Sequence, residues 1–129
     1  MEWKNFTFIG LGLIGGSIAK AIKKTYPKAK ISVLERDQHS VEMAISEGII
    51  EKGLQSIEEI PSDTELLFLC TPVEWNRKFL RELAPKLPSH TLLTDVGSTK
   101  RSIMEEAEAL GLSARFCGGH PMAGSESSG

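Results

Sequence analysis

Three glycines near the amino end, Gly10, Gly12 and Gly15, have the G-x-G-x-x-G spacing of a dinucleotide-binding turn. An apolar run predicts a strand before them, and an amphipathic run predicts a helix after them. Such glycines permit a tight turn, let a pyrophosphate approach the backbone, and let helix and strand pack closely. The helix start then offers free N–H groups to the phosphates. With a plain glycine turn as the alternative, we predict a cofactor site formed by Gly10, Leu11, Gly12, Leu13, Ile14 and Gly15.

Glu35 and Arg36 follow the second predicted strand, about 20 residues beyond the glycines. An acidic residue at that distance accepts hydrogen bonds from the adenosine ribose hydroxyls. The charge of Glu35 would repel a 2′-phosphate, which favours NAD. The guanidinium of Arg36 would pair with that phosphate, which favours NADP. We expect NAD as the cofactor, with NADP as the alternative. If these residues bind no ligand, they form a solvated charge cluster.

The turn after the apolar run Glu65–Cys70 is a third candidate segment, and it contains Thr71, Pro72 and Val73. Its structural interpretation is a capping box between Thr71 and Glu74, with Pro72 at the first helical position. Because ligands of parallel sheets bind beyond the carboxyl ends of the strands, the same turn would form a wall of the cofactor cleft. Both interpretations are compatible.

Ser98 and His120 are the candidate catalytic residues. Ser98 follows a predicted strand, where it either caps the next helix or faces a substrate hydroxyl. Gly97, which precedes it, is an expected cofactor contact. His120 lies in a glycine-rich loop, and Pro121 biases it toward an extended conformation. A histidine at a nucleotide cleft is a candidate base because its ordinary pKa suits proton transfer near neutrality. A surface loop histidine is the alternative.

Short apolar runs alternate with helical patterns along the chain. This alternation predicts a Rossmann-type α/β fold, with a doubly wound, mainly parallel sheet and helices on both faces. The predicted strands are Asn5–Gly10, Lys30–Leu34, Glu65–Cys70, Thr91–Asp95 and Arg115–Cys117, and residues 49–59 are ambiguous. The predicted helices are Leu13–Thr25, Ser40–Glu47, Glu74–Leu83 and Ser102–Leu110.

The composition excludes several classes of protein. The chain has 129 residues, 40% of them hydrophobic, which suits one globular domain. Fifteen Lys and Arg against seventeen Asp and Glu leave no basic surplus, so neither nucleic acid nor a membrane is an expected partner. No apolar run approaches the ~20 residues of a membrane helix. The two cysteines predict buried thiols in a cytoplasmic protein, with no disulfide framework and no metal site.

Three segments together resemble the prephenate dehydrogenases of tyrosine biosynthesis. They are Gly10–Ser17, Asp95–Lys100 and Gly118–Ser125, and the turn at Thr71–Val73 is also similar to theirs. The resemblance runs in order from near Asn5 to the end of the chain. The last two segments are far more specific than the glycine motif.

The resemblance implies an activity and roles for individual residues. Family members oxidise prephenate with NAD or NADP and release CO2, giving 4-hydroxyphenylpyruvate, and some use arogenate and give tyrosine. His120 would accept the proton of the ring 4-hydroxyl, and Ser98 would help to orient that hydroxyl. The implied cofactor contacts are Gly10, Gly12, Gly15 and Glu35, the last at a position where many members have Asp.

The resemblance also implies how the protein is organised. The family continues into a helical domain that forms a homodimer and completes the substrate site. Residues 1–129 would therefore be the nucleotide-binding domain, with that second domain absent from this chain. Two other hypotheses remain open, a nucleotide-binding module without catalysis and a related hydroxyacid-type dehydrogenase on the same fold. The choice between prephenate and arogenate is open too.

Overall fold

The computed structural model describes residues 3–96 and 109–111 of the chain. Strands and helices alternate through most of this range, with one short 3-10 helix at Ile57–Glu59. The strands are β1 (Asn5–Ile9), β2 (Lys30–Leu34), β3 (Lys52–Leu54), β4 (Leu66–Leu69) and β5 (Leu92–Asp95). The helices are α1 (Gly12–Thr25), α2 (Gln38–Ser46) and α3 (Val73–Leu83).

The five strands form one sheet in the order β3-β2-β1-β4-β5, and every neighbouring pair is parallel. Strand β1 lies in the middle and pairs with β2 on one side and β4 on the other. The chain therefore crosses from one side of β1 to the other between β3 and β4. Such a reversal of strand order opens a crevice beyond the carboxyl ends of the central strands, where this class of fold binds its ligands.

Two apolar cores lie on opposite faces of the sheet. On one face, α1 and α2 pack against the rings of Phe8 and Phe68, whose centroids are 4.6 Å apart. On the other face, α3 packs through Leu80 and Leu83 against β4 and β5. Strand β4 contributes alternate side chains to both cores and is buried throughout. This two-sided cover is the physical reason for its nearly continuous apolar sequence.

The structure confirms the predicted α/β class and the order of elements within the described residues. Strand β1 ends one residue earlier than predicted, because Gly10 leaves the extended region with φ +86°. Helix α2 begins at Gln38 instead of Ser40, because the Asp37 carboxylate accepts hydrogen bonds from the His39 N–H and the Ser40 hydroxyl. The Ser40 bond lowers the pKa of Asp37. An aspartate in this position is a familiar cap.

The ambiguous stretch at 49–59 contains strand β3 and the 3-10 helix. Strand β3 extends the sheet beyond β2, and Leu54 at its end is buried. The predicted strand Arg115–Cys117 and residues 102–108 of the predicted helix Ser102–Leu110 lie outside the described residues. Within the described part of the chain, no helix combines the length and apolar character needed to cross a membrane.

We predict that Gly10→Ala lowers the free energy of unfolding by about 2 kcal/mol or more. A Cβ on Gly10 would lie 2.5 Å from Thr71 Cγ2, and the φ of +86° strains any L side chain. Gly16→Ala is the matched control, since a Cβ there meets nothing within 4 Å and alanine favours the helix. Urea unfolding measures both variants. Equal midpoints for the two would contradict this account of the turn.

Candidate functional site

The turn between β1 and α1 forms the floor of the crevice. The Gly10 N–H donates to the Leu34 carbonyl at 2.8 Å, which ties the turn to the end of β2. Gly12 has φ +53°, and a Cβ built on it would enter open space. Leu11, the residue that precedes α1, does not cap the helix with its side chain. The turn therefore leaves room for a phosphate beside the N–H groups that begin α1.

Gly15 lies where α1 crosses the end of β4. A Cβ on Gly15 would be 3.4 Å from both Cys70 Sγ and the Gly10 carbonyl oxygen. The absence of a side chain thus lets the helix pack closely on the turn and the strand. The neighbouring Leu13 and Ile14 have 92% and 60% of their surface exposed. These two predicted cofactor contacts stand free of the core at the first turn of the helix.

Glu35 connects the glycine turn to the start of α2. Its Oε1 accepts a hydrogen bond from the Leu11 N–H at 2.9 Å, and its Oε2 accepts one from the Asp37 N–H at 2.9 Å. A carboxylate has about four lone-pair sites, so each oxygen can still accept a ribose hydroxyl. The half-buried Glu35 is therefore held in one orientation rather than solvated as part of a loose charge cluster.

Trp75, on α3, faces two cations across the crevice from Glu35. The guanidinium carbon of Arg36 is 5.5 Å from the centre of the indole ring, and Lys78 Nζ is 5.1 Å from it. Both distances suit cation–π attraction. The ring is 43% exposed and also lies near Phe79. A flat aromatic surface beside a positive charge is suited to stacking with a nucleobase.

These segments surround a cavity of about 760 Å³. That volume lies within the usual range for small-molecule sites. Among the residues predicted from the sequence, the cavity brings together Gly10, Glu35, Arg36, Thr71 and Pro72. Val73, which follows Pro72, is the first residue of α3. Gly97, Ser98 and His120 lie outside the described residues.

The structure differs from the predicted capping box at the start of α3. Pro72 precedes the first helical residue instead of occupying that position, and it provides no side-chain cap. The Thr71 hydroxyl donates to Asn76 Oδ1, and the Thr71 N–H donates to the same oxygen at 3.0 Å. The buried Asn76 amide therefore accepts the proton of the Thr71 hydroxyl.

Sequence reasoning missed three residues of α3, namely Trp75, Asn76 and Phe79. The i, i+4 spacing of the two aromatic residues is a signal that one helix face carries both rings toward the crevice. Asn76 breaks the apolar side of an amphipathic helix, and a polar residue in such a position has to find partners in the core. Both signals are visible in the printed sequence once α3 is placed beside the cleft.

Cys70 lies under the turn and is chemically quiet. Burial raises the pKa of its thiol to about 12, and the negative charge of Asp95 adds to the effect. The thiolate is the reactive form of cysteine, and almost none of it exists near neutral pH with such a pKa. Cys70 is partly buried, so the expectation of a buried thiol holds largely for this residue. Cys117 lies outside the described residues.

Residues 18–129 match the family described as the nucleotide-binding domain of prephenate dehydrogenase. The chain belongs to that family. It is 42% identical to a prephenate dehydrogenase of Bacillus subtilis over 122 residues, and 40% identical to one of Lactococcus lactis over 130 residues. These alignments cover 93% and 98% of the chain but only 33% and 36% of the relatives. The chain spans about a third of the length of these prephenate dehydrogenases.

A solved structure agrees with the family assignment. It is prephenate dehydrogenase from A. aeolicus in complex with hydroxyphenyl propionate and NAD+. It superposes on this chain with a TM-score of 0.82 at 32% sequence identity. The match covers 98% of this chain and 44% of the other. The resemblance drawn from the motifs is thus confirmed at the level of the family.

We predict that Cys70 in the folded protein resists alkylation. In a Cys117→Ser background at pH 8, iodoacetamide should modify Cys70 at least ~10²-fold more slowly than in the urea-unfolded chain, because the folded thiol is buried and un-ionised. Mass spectrometry of the peptide that contains Cys70 measures the rate. Equal rates in the folded and unfolded chains would contradict the shielding described above.

Proposed function

We propose that this chain is the NAD-binding part of an enzyme that oxidises and decarboxylates prephenate to 4-hydroxyphenylpyruvate in tyrosine biosynthesis. The observation that carries the proposal is the cavity at the strand ends, lined by Gly10, Glu35 and Thr71–Pro72, in a chain of the prephenate dehydrogenase family. The NAD+ held by the A. aeolicus relative supports the choice of cofactor.

The residues of the crevice fit a dinucleotide. A Cβ on Gly10 would collide with Thr71, and the space above Gly12 is open, so the turn suits a pyrophosphate lying against the backbone. Glu35 would accept the adenosine ribose hydroxyls, and its negative charge disfavours a 2′-phosphate. Arg36 and Trp75 would lie against the adenine. When bound, NAD supplies the acceptor for the hydride that the substrate loses.

The chemistry on the substrate needs a base and accurate positioning. In the proposed reaction, ring C4 of prephenate loses a hydride while His120 accepts the proton of the 4-hydroxyl. Loss of the ring carboxylate as CO2 then makes the ring aromatic, which drives the reaction forward. Ser98 would orient the hydroxyl toward His120. The roles of these two residues rest on the motifs around them and on family membership.

The wider organisation of the protein is part of the same proposal. Residues 1–129 would form one nucleotide-binding domain of a cytoplasmic homodimer whose substrate is a small molecule rather than nucleic acid or a membrane. The prephenate dehydrogenases of Bacillus subtilis and Lactococcus lactis support prephenate over arogenate as the substrate. The decisive experiment measures NAD-dependent oxidation of prephenate and of arogenate by the complete protein. NAD binding without turnover of either would favour the non-catalytic module.

We predict that Glu35→Ala weakens NAD binding at least ~10-fold, because it removes the ribose acceptor and the carboxylate that pins the Leu11 and Asp37 N–H groups. NADP binding should weaken less, so the preference for NAD should shrink. Glu42→Ala, which changes an exposed glutamate of α2, is the control. Calorimetric titration with both dinucleotides measures the effect. An unchanged ratio of the two affinities would remove Glu35 from cofactor selection.

We predict that His120→Asn lowers kcat ~10²–10⁴-fold while NAD affinity stays the same, because the substituted residue cannot act as the base. The matched control is His90→Asn, since His90 is an exposed residue between α3 and β5. Steady-state kinetics with prephenate in the complete protein measure kcat, and titration measures NAD affinity. Turnover equal to that of the control would show that His120 is not the base.

A further inference from the structure

Asn76 is a fully buried amide in the first turn of α3, with 0% of its surface exposed. Its Oδ1 accepts both donors of Thr71, the N–H at 3.0 Å and the hydroxyl. Its Nδ2 donates to Asp95 Oδ1 at 2.7 Å and to the Leu69 carbonyl oxygen at 3.4 Å. One side chain thus joins the turn after β4, the end of β4 and the end of β5.

The orientation of this amide follows from its partners. The Thr71 N–H can only donate, so the oxygen of the amide has to face it. The Leu69 carbonyl can only accept, so the nitrogen has to face β4. Asp95, which has 2% of its surface exposed, then accepts the remaining N–H. A flipped amide would leave buried donors and acceptors mismatched.

The segments that Asn76 joins serve different parts of the proposed reaction. Thr71 and Pro72 line the cavity assigned to the cofactor. Asp95 ends β5, and Ser98 follows it by three residues along the chain. Leu69 and Asp95 are also direct partners in the β4–β5 ladder. The amide therefore sets the distance between a cofactor-binding turn and the strand end that leads to a proposed catalytic residue.

We infer that Asn76 is a positioning residue, which couples the cofactor-facing turn Thr71–Pro72 to the end of β5, three residues before Ser98 in the sequence. The inference deepens the proposed function and rests on it. An apolar side chain of similar size, such as leucine, would also fill the core beneath α3. What asparagine adds to that volume is its four hydrogen bonds.

The first test is Asn76→Leu in the complete protein. We expect kcat with prephenate to fall ~10²-fold, because a displacement of about 1 Å at the reacting groups has that effect. NAD affinity should fall less, by about 10-fold, because the glycine turn and Glu35 remain in place. Thr91→Val is the matched control. It removes a buried hydrogen bond, from the Thr91 hydroxyl to the Thr64 carbonyl at 2.7 Å, at the opposite end of β5.

Both variants should unfold at lower urea concentrations than the wild type, but Thr91→Val should keep kcat and NAD affinity. A purely structural role for Asn76 would give the two variants the same kinetics, which would overturn the inference. An Asn76→Leu protein that is folded by circular dichroism and keeps both constants within about twofold of the wild type would also overturn it.

A second pair of variants covers the case in which Asn76→Leu does not fold. Asn76→Asp places two carboxylates against each other at the end of β5, so both turnover and NAD affinity should fall. Adding Asp95→Asn exchanges the donor and the acceptor between the two positions. We expect this double variant to recover part of the NAD affinity and kcat that Asn76→Asp loses, because the bond between positions 76 and 95 is restored while the contact with the Leu69 carbonyl is not. A double variant no better than Asn76→Asp alone would overturn the inference.

The NAD-binding measurements separate this inference from the proposed function. A wild-type protein that binds NAD but does not oxidise prephenate would contradict the proposed reaction. In that case, the loss of NAD affinity in Asn76→Asp and its recovery in the double variant would still support the coupling. If the wild type oxidises prephenate but the double variant does not recover NAD affinity, the coupling is contradicted and the proposed function stands.

Discussion

The close approach of Gly10 to Thr71 is the constraint on which the crevice depends. Strands β1 and β4 are hydrogen-bonded neighbours, so the turns that follow them begin side by side. A Cβ on Gly10 would lie only 2.5 Å from Thr71 Cγ2, and the turn adopts a φ of +86° to leave β1. Only a glycine satisfies both conditions. As a result, Gly10 and the Thr71–Pro72 turn line one cavity side by side.

Glu35 makes that cavity a single site by connecting a third strand end to it. Its carboxylate is held by the N–H groups of Leu11 and Asp37, which fixes its position relative to the glycine turn. The same negative charge would face the ribose of a bound cofactor. In the proposed function, a carboxylate already held in this way needs little rearrangement when the cofactor binds. The guanidinium of the next residue, Arg36, lies over the indole of Trp75.

The opposite wall depends on polar groups buried beneath it. Asn76 satisfies Thr71 on one side and Asp95 on the other, and the Asp95 charge helps to raise the pKa of the neighbouring Cys70 thiol. Buried polar groups tolerate few alternative arrangements, since each broken bond leaves a donor or acceptor without water. The apolar cores hold the layers together, and this small network determines how the strand ends meet.

Much of the fold and part of the site could be predicted from the sequence alone. Apolar runs and helical periodicity are local properties, so they located β1, β2, β4, β5 and the three helices to within about two residues. The glycine motif and Glu35 were recognisable for the same reason, because the motif specifies the spacing and the strand that precedes each residue. The family resemblance rested on short segments of the same kind.

The tertiary structure decided the contacts between residues that are distant along the chain. Glu35 reaches the Leu11 N–H across 24 residues, and Asn76 reaches Asp95 across 19. Neither pairing follows from local periodicity, because each depends on which strands are neighbours in the sheet. The bond between Thr71 and Asn76 is local, but the bond from Asn76 to Asp95 depends on the pairing of β4 with β5. Local patterns thus determined the elements, and the order of strands determined which side chains meet.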